Sequence, residues 1–293
     1  MTKKTTAHPF SNLSEWYRLR LTLINERASP AMKAHPISIM EAMVKHVYTR
    51  AFGKAHTDDA SYFFHFPDRT PPQKIREGTQ ISLDICLCRT TAEKAHRFRS
   101  AFKAHIKDKA NEQNYSLLAL NDIEERQFHH LIQETVYLPA NGEICLDFLT
   151  PLTFQKPAGK HRLFIDKKDF IQLFERRFSR LFGTEITYPG NLEDFSILPY
   201  YWNYVEYGHK SRSQPGTVQY VKGVTGPLYI KGDLSSLLPF LLLGEELHTG
   251  TKLSNAQGYY RILKQPKPYF ERRFPNKQAL RWFLRMCCSS TTV

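Results

Sequence analysis

Apolar and polar positions alternate through Trp16–Ile24 (WYRLRLTLI), the pattern of a strand with one buried face. The period then changes. Across Ile37–Phe52 the apolar residues Ile39, Met40, Met43, Val47 and Ala51 recur three and four apart, which predicts a helix stopped by Gly53. Ser61–Phe66 (SYFFHF) is aromatic and strand-like and is closed by Pro67, and Thr79–Leu87 alternates again. Thr91–Ile106 predicts a basic amphipathic helix with Ala95, Phe98, Ala101, Phe102 and Ile106 on one side. Strand-like segments follow at Tyr115–Leu120 and Thr135–Leu138. The order β-α-β-β-α-β is the split βαβ of ferredoxin-like folds.

Pro139-Ala-Asn-Gly142 is a cluster of turn formers and the predicted boundary between an N-terminal domain, residues 1–140, and a C-terminal domain, residues 141–293. The second half repeats the plan in its element order, without a sequence-level repeat. Glu143–Phe154 predicts a strand broken at Pro151, and Lys167–Phe182 a helix. Tyr200–Tyr207 and Gly226–Lys231 are strand-like. Asp233–Leu243 predicts a short apolar helix, and Gly258–Leu263 a closing strand. Beyond Pro266, Arg272, Arg273, Arg281 and Arg285 lie among Phe270, Phe274, Trp282 and Phe283, which reads as a basic helix packing back on the domain. The fold expected is α+β, two ferredoxin-like (RRM-like) domains in tandem with a glycine-rich loop near the C-terminus.

Composition narrows the partner. A chain of 293 residues suits two domains of ordinary size, and its 41 lysines and arginines against 28 acidic residues give a formal charge of +13. Such an excess favours a polyanion, because each neutralised phosphate releases condensed counterions. An ordinary basic protein shares that balance, so charge alone does not say which polyanion. The five cysteines, Cys86, Cys88, Cys145, Cys287 and Cys288, are odd in number and lack CxxC spacing, which argues against a disulfide scaffold and a structural zinc site. HExxH is absent and Asp58 and Asp59 are adjacent, so neither a metal nor another cofactor is expected. No apolar run reaches membrane-spanning length and no h-region follows Met1, so a reducing, cytoplasmic setting without membrane contact is expected.

Three stretches of the second half stand in a telling order. Leu146-Asp-Phe-Leu-Thr150-Pro151-Leu152 ends a strand. Phe174–Phe182 (FERRFSRLF) carries the paired Arg176 and Arg177, followed by Arg180. Gly223–Ile262 holds a glycine-flanked strand, Gly232-Asp233-Leu234, an apolar run to Leu243, then Gly244, His248, Gly250 and Gly258-Tyr-Tyr-Arg-Ile262. In order and spacing they resemble the C-terminal domain of CRISPR repeat-processing endoribonucleases, within the repeat-associated RNA-binding (RAMP) superfamily. The resemblance covers most of residues 143–263, whereas the N-terminal half matches in element order and in the strand Tyr62–Phe66. One departure stands out: Ala256 occupies the position where the family carries the first of two closing glycines, and alanine resists positive φ.

The resemblance implies an endoribonuclease that cuts CRISPR precursor RNA within its repeats to generate guide RNAs. Its partners would be the repeat RNA and other CRISPR-associated proteins. It also implies an RNA-binding role for the glycine loop, through Gly244, His248, Gly250, Lys252, Ser254, Asn255 and Gly258, and for the basic segment with His209, Lys210 and Arg212. Solvated loops are the plainer reading of both. Arg176, Arg177 and Arg180, like Lys94, Arg97, Arg99, Lys103 and Lys107 on the earlier helix, read first as solvated faces.

RNA cleavage without metal needs a base for the 2′-OH, an acid for the departing 5′-oxygen and a cation beside the phosphorane. Resembling enzymes place a catalytic histidine on or just before the first helix. His46, on that helix one turn before Arg50, and His35, before it, both fit that place, with Tyr48 and Lys54 near them in sequence and His248 as a third candidate. Two other readings stay open: a non-catalytic RNA-binding RAMP subunit of a CRISPR effector complex, and a general basic RNA-binding protein.

Overall fold

The computed structural model describes residues 10, 13–26, 36–53, 61–67, 76–109, 115–134, 138–154, 165–198, 201–210, 218–250, 256–263, 266 and 268–269. Strands β1 (Trp16–Asn25), β2 (Tyr62–His65), β3 (Gln80–Leu87) and β4 (Tyr115–Leu120) form an antiparallel sheet in the order β2-β3-β1-β4. Helices α1 (Pro36–Phe52) and α2 (Ala92–Lys109) connect them as the alternation and spacing predict. This is the ferredoxin-like plan. Tyr17, Leu19, Leu21 and Leu23 of β1 join Ile81, Leu83 and Ile85 of β3 under Met40, Val44 and Val47 of α1 and Phe98 and Phe102 of α2.

The second sheet repeats the topology. It runs β10-β6-β9-β7, with β6 at Asn141–Leu152, β7 at Phe195–Ile197, β9 at Val218–Asp233 and β10 at Tyr260–Ile262. Its helices are α4 (Lys167–Phe182) and α5 (Leu238–Leu247). Strand β8 (Asn203–Lys210) forms a hairpin with the first half of β9. Helix α4 keeps its sequence-derived bounds because both ends are capped. The Asp166 carboxylate accepts the Asp169 N–H at 2.7 Å, and Gly183 ends the helix at φ 69°.

Helix α5 (LPFLLLGEEL) is apolar nearly all round, and such a helix must be covered on more than one side. It is. With α4 it packs on Ile144, Leu146 and Phe148 of β6 and Leu228 and Ile230 of β9, and the same cluster takes in Trp16, Phe63, Cys86 and Cys88 from the far face of the first sheet. The layers are therefore α1/α2, first sheet, α4/α5 and second sheet. Phe10 stands between them, its ring centroid 5.7 Å from Phe178 and 4.7 Å from Phe240. Glu246 completes the seam by accepting from Trp16 Nε1 at 3.3 Å and pairing with Arg18 at 3.3 Å and Arg126 at 3.4 Å.

Several expectations shift. Of the strand expected at Thr135–Leu138, Leu138 lies outside any strand and residues 135–137 lie outside the described residues; helix α3 (Phe128–Glu134) precedes them. Strand β5 (Glu124–Arg126), which pairs with β1, is too short to show a period. Strand β6 runs on through Pro151, with an irregularity between Phe148 and Leu152. Asp233 ends β9 instead of opening a helix, because its carboxylate accepts from the Ser235 N–H and hydroxyl; α5 starts later, with proline in its first turn. The basic tail lies outside the described residues.

Because α4 is shared by both sheets, Phe178→Ala should cost about 3–5 kcal/mol. In urea, far-UV circular dichroism and tryptophan fluorescence should shift together to a lower midpoint. Two separated transitions in the native chain would contradict the shared layer.

Candidate functional site

The glycine segment is built on the end of β6. Thr150 Oγ1 accepts the Tyr259 N–H at 2.8 Å, the Pro151 carbonyl accepts the Gly258 N–H at 3.0 Å, and Gly258 in turn accepts from Thr249 N–H at 3.2 Å. The Thr-Pro-Leu end and the glycine-rich end are thus one hydrogen-bonded unit. Gly258 sits at φ +71°, and a Cβ there would run into the Thr249 carbonyl oxygen, so no other residue fits without movement. Ala256 keeps the left-handed turn at φ 54° despite its methyl group, which is fully buried against the first sheet's core. The turn therefore survives the substitution, at the cost of alanine's usual strain. Thr153 Oγ1 lies 2.6 Å from the Lys222 carbonyl and 2.7 Å from Gln257 Oε1. One hydroxyl proton cannot serve both acceptors, so the Gln257 amide is best placed with its NH₂ donating to Thr153.

Next to this segment a buried polar chain crosses the layers. Arg20 holds Asp84 through two bonds of 2.7 Å, and Asp84 lies 3.6 Å from His65 Nε2. His65 Nδ1 is 3.0 Å from His248 Nε2, and His248 Nδ1 is 3.2 Å from the Gln257 carbonyl. A carbonyl only accepts, so His248 donates from Nδ1 and accepts at Nε2; His65 must then donate from Nδ1. Burial raises the Asp84 carboxyl, but the hydrogen bonds from Arg20 and His65 outweigh it and hold it well below the ordinary carboxylate range. For His248, burial and then the charges of His65 and Arg177 push the imidazole well below its ordinary value. Tyr259 stacks on His65 at 4.2 Å between centroids, and Arg177 caps α5 by donating to the Leu247 carbonyl at 3.2 and 3.3 Å while lying 4.8 Å from the Phe63 ring.

These contacts correct three sequence expectations. His248 is not an open RNA-facing residue, since its ring is fully buried between the layers. Gly244 belongs to α5, pressed against Tyr260 and Phe174 with no space for a Cβ, and so serves packing. Arg177 is buried rather than solvated, unlike its exposed neighbour Arg176. Gly250, at φ +91°, approaches Leu152 and Thr153 closely and helps seat the segment.

The histidine-bearing helix presents a different surface. His46 is exposed, its ring 4.9 Å from that of His105 on α2, and Arg50 pairs with Asp108 at 3.2 Å. Tyr48 points the other way, stacked 4.4 Å from Tyr62 and hydrogen-bonded to Ser61, and burial raises its phenol. His46 and Arg50 therefore both meet α2, at His105 and Asp108, whereas Tyr48 packs on Tyr62. On the same helix burial pushes Glu41 up to about 7, a perturbation without a sequence signal. His35, Lys54, Arg212, Lys252, Ser254 and Asn255 lie outside the described residues. His209 and Lys210 are described as backbone of β8, paired with Gln219 and Val218. His65, Asp84, Arg20 and Tyr259 were not among the sequence candidates. The available clue was polarity: His65 and Asp84 interrupt strands that are otherwise apolar and aromatic. No described group of histidines, cysteines and carboxylates is clustered for a metal ion.

The chain thus consists of tandem ferredoxin-like sheets, the second with Gly258 clamped to the end of a Thr-Pro-Leu strand. Residues 146–260 match the family model of the CRISPR-associated endoribonuclease Cas6. A search of curated proteins finds no match. The fold resembles that of a Cas6-related protein from Pyrococcus furiosus, at 14% identity and TM-score 0.51 over 86% of this chain and 100% of that one. Thermus thermophilus Cas6 is similar at 12% identity and TM-score 0.53, over 85% and 99%. A chain of a partial Cas6-RT-Cas1–Cas2 complex reaches TM-score 0.61 at 10% identity, with 87% of this chain covering 47% of that one. The chain thus carries the Cas6 fold along most of its length and the Cas6 family's sequence pattern over residues 146–260.

A pH dependence follows from His248. Its folded value lies below the unfolded one of about 6.5, so the unfolded chain binds more protons below that pH. Stability tied to it is full above about 6.5 and is lost as pH falls toward the folded value. Thermal melts of the native chain should drop between pH 7 and 5, and those of His248→Gln should drop less. Equal slopes would show that the ring does not titrate on unfolding.

Proposed function

We propose that the protein is a metal-independent endoribonuclease that cuts CRISPR precursor RNA within its repeats, leaving a 2′,3′-cyclic phosphate and a 5′-hydroxyl. Residues 1–140 and 141–293 act as its two domains. The observation that carries the reading is the Cas6 match over residues 146–260 on a chain that has the Cas6 fold. The glycine segment, with Lys252, Ser254 and Asn255, and the β8–β9 hairpin, with His209, Lys210 and Arg212, hold the RNA. CRISPR-associated proteins are further partners, as the complex with Cas1 and Cas2 suggests for a fold relative.

For the chemistry, His46 is the base for the 2′-OH, being exposed on α1 with Arg50 one turn on. Tyr48, its phenol raised by burial, keeps its proton at neutral pH and can donate but not abstract. Lys54 or Arg50 supplies the cation beside the phosphorane. A second reading, a non-catalytic RNA-binding subunit, draws on the same geometry: Arg50 is paired with Asp108, and Tyr48 faces away from His46.

Incubation with the cognate repeat RNA in EDTA decides between the two. Cleavage should persist, and His46→Ala should slow it about 10²–10⁴-fold with RNA affinity nearly intact. If His35→Ala alone carries the loss, the segment before α1 holds the base; native rates in both variants would defeat the histidine mechanism. Binding without cleavage selects the non-catalytic reading.

Binding should also weaken steeply with salt, by about 0.7–0.9 in log K per log unit of salt for each phosphate contact. A flat salt profile would defeat the electrostatic account of the +13 charge.

A further inference from the structure

Beyond the candidates above, the described surface holds a dense group of cations at the C-terminal end of α1. Where α1 ends and α2 begins, a cleft of about 380 Å³ is lined by Tyr48, Arg50, Ser61, Arg89, Lys94 and Arg97, with no carboxylate among its lining residues. That volume is within the range of ordinary ligand sites, about 300–1,000 Å³. Arg50 is held by Asp108, but among the described residues Arg89, Lys94 and Arg97 take part in no ion pair. All three are exposed. Lys94 and Arg97 are three apart on α2 and so project from one side of it. Arg89 reaches the same cleft from the β3–α2 connection, where its backbone is held at φ 53°.

Among the described residues that line the cleft, like charges converge without a carboxylate, which is unfavourable unless an anion is taken up. The start of α2 adds to the field: Thr91 Oγ1 accepts the Lys94 N–H at 3.4 Å, and the helix dipole is positive at this end. Glu93 is exposed on the same turn and does not line the cleft. The aromatic wall of Tyr48 and Phe52 suits a nucleotide better than an acidic peptide, since bases stack on such rings.

From these observations we infer that the cleft between the end of α1 and the start of α2 binds backbone phosphates of the RNA, with Arg89, Lys94 and Arg97 as its ligands. The inference rests on the proposed RNA-binding function and adds a contact separate from the glycine segment. Ser61 lines the cleft, whereas His65, four residues further along β2, touches His248 at the glycine segment. At about 3.3 Å per residue the two places are about 13 Å apart. An RNA strand held at both would therefore run along the edge of the first sheet beside β2.

The test uses the full chain and fluorescence anisotropy with labelled repeat RNA and an oligouridylate of equal length. The Arg89→Gln, Lys94→Gln, Arg97→Gln triple variant should bind repeat RNA about 100-fold more weakly at 0.1 M salt. Its salt slope should be shallower by about two, the contribution of three single-strand phosphate contacts. The Lys94→Gln, Arg97→Gln pair, which leaves Arg89 near the end of α4, should lose about two-thirds of that slope. A control triple of exposed cations elsewhere, Lys103→Gln, Lys168→Gln and Lys231→Gln, makes the same change in net charge and should stay within about threefold, because dispersed charges are screened. Unchanged melting temperatures confirm that the variants are folded. Equal losses in the cleft and control triples, or none in either, would overturn the inference. If the native chain shows no preference for repeat RNA but the cleft triple still loses oligouridylate, the cleft stands and the repeat-processing reading falls. Loss of poly-glutamate binding with RNA affinity retained would make the cleft a protein contact and overturn the RNA assignment.

Discussion

Helix α5 has almost no polar side, and a helix of that kind cannot remain at a surface. Phe240, Leu241 and Leu243 are fully buried, and each such side chain contributes about 1.5–3 kcal/mol when removed from water. One sheet can cover only one side of a helix. The remaining apolar surface of the α4/α5 layer is taken by the far face of the first sheet, through Trp16, Phe63, Cys86 and Cys88. The requirement to cover this layer is what turns two ferredoxin-like units into a single four-layer body.

The polar parts of the seam answer to the same layer. Where the far face of the first sheet stops being apolar it carries Arg18, Arg20, His65 and Asp84, and each meets a partner within reach. Glu246 brings a carboxylate from α5 to Arg18, Arg126 and the Trp16 indole, so these charges are paired within the seam. Arg177 spans the layers from the other direction, with its charge against the end of α5 and its flat face on Phe63. The His65–His248 contact then ties β2 to the glycine segment. Burial at that point is structural in effect. It holds the described ends of the segment in place.

On the proposed function, binding and chemistry are separated from support. The groups that hold the glycine segment, Thr150, Thr153, His248 and Gly258, are buried or partly buried, whereas His46 and the cations Arg89, Lys94 and Arg97 are exposed around α1 and α2. Both sets are joined by β2, whose start borders the cleft and whose end touches Tyr259. A nucleic acid bound along that edge would sense both. Its backbone charge would be met by arginine and lysine, and its path set by a segment whose turns are locked by positive φ at Gly250, Ala256 and Gly258.

Local pattern determined a great deal. Periodicity in β1, α1, β3 and α2 was legible because each element turns most of its apolar side chains to one face, and such a face writes its period into the chain. The bounds of α4 were legible because Asp166 and Gly183 mark its ends chemically. The order of the Thr-Pro-Leu strand, the arginine helix and the glycine segment carried the resemblance that the family model matches over residues 146–260. Other features were not local. Strand β5 is three residues long, and β9 is written as a glycine-rich hairpin arm rather than an alternating run. Whether His248 faces solvent or core depends on Phe63 and His65, 185 and 183 residues away in the chain, and the pairing of Arg20 with Asp84 exists only in the register that sets them opposite each other on β1 and β3. A sequence records what each residue prefers nearby. Which preferences are met together, and so which histidine is buried and which arginines are left exposed, is decided by the packing of one layer on another.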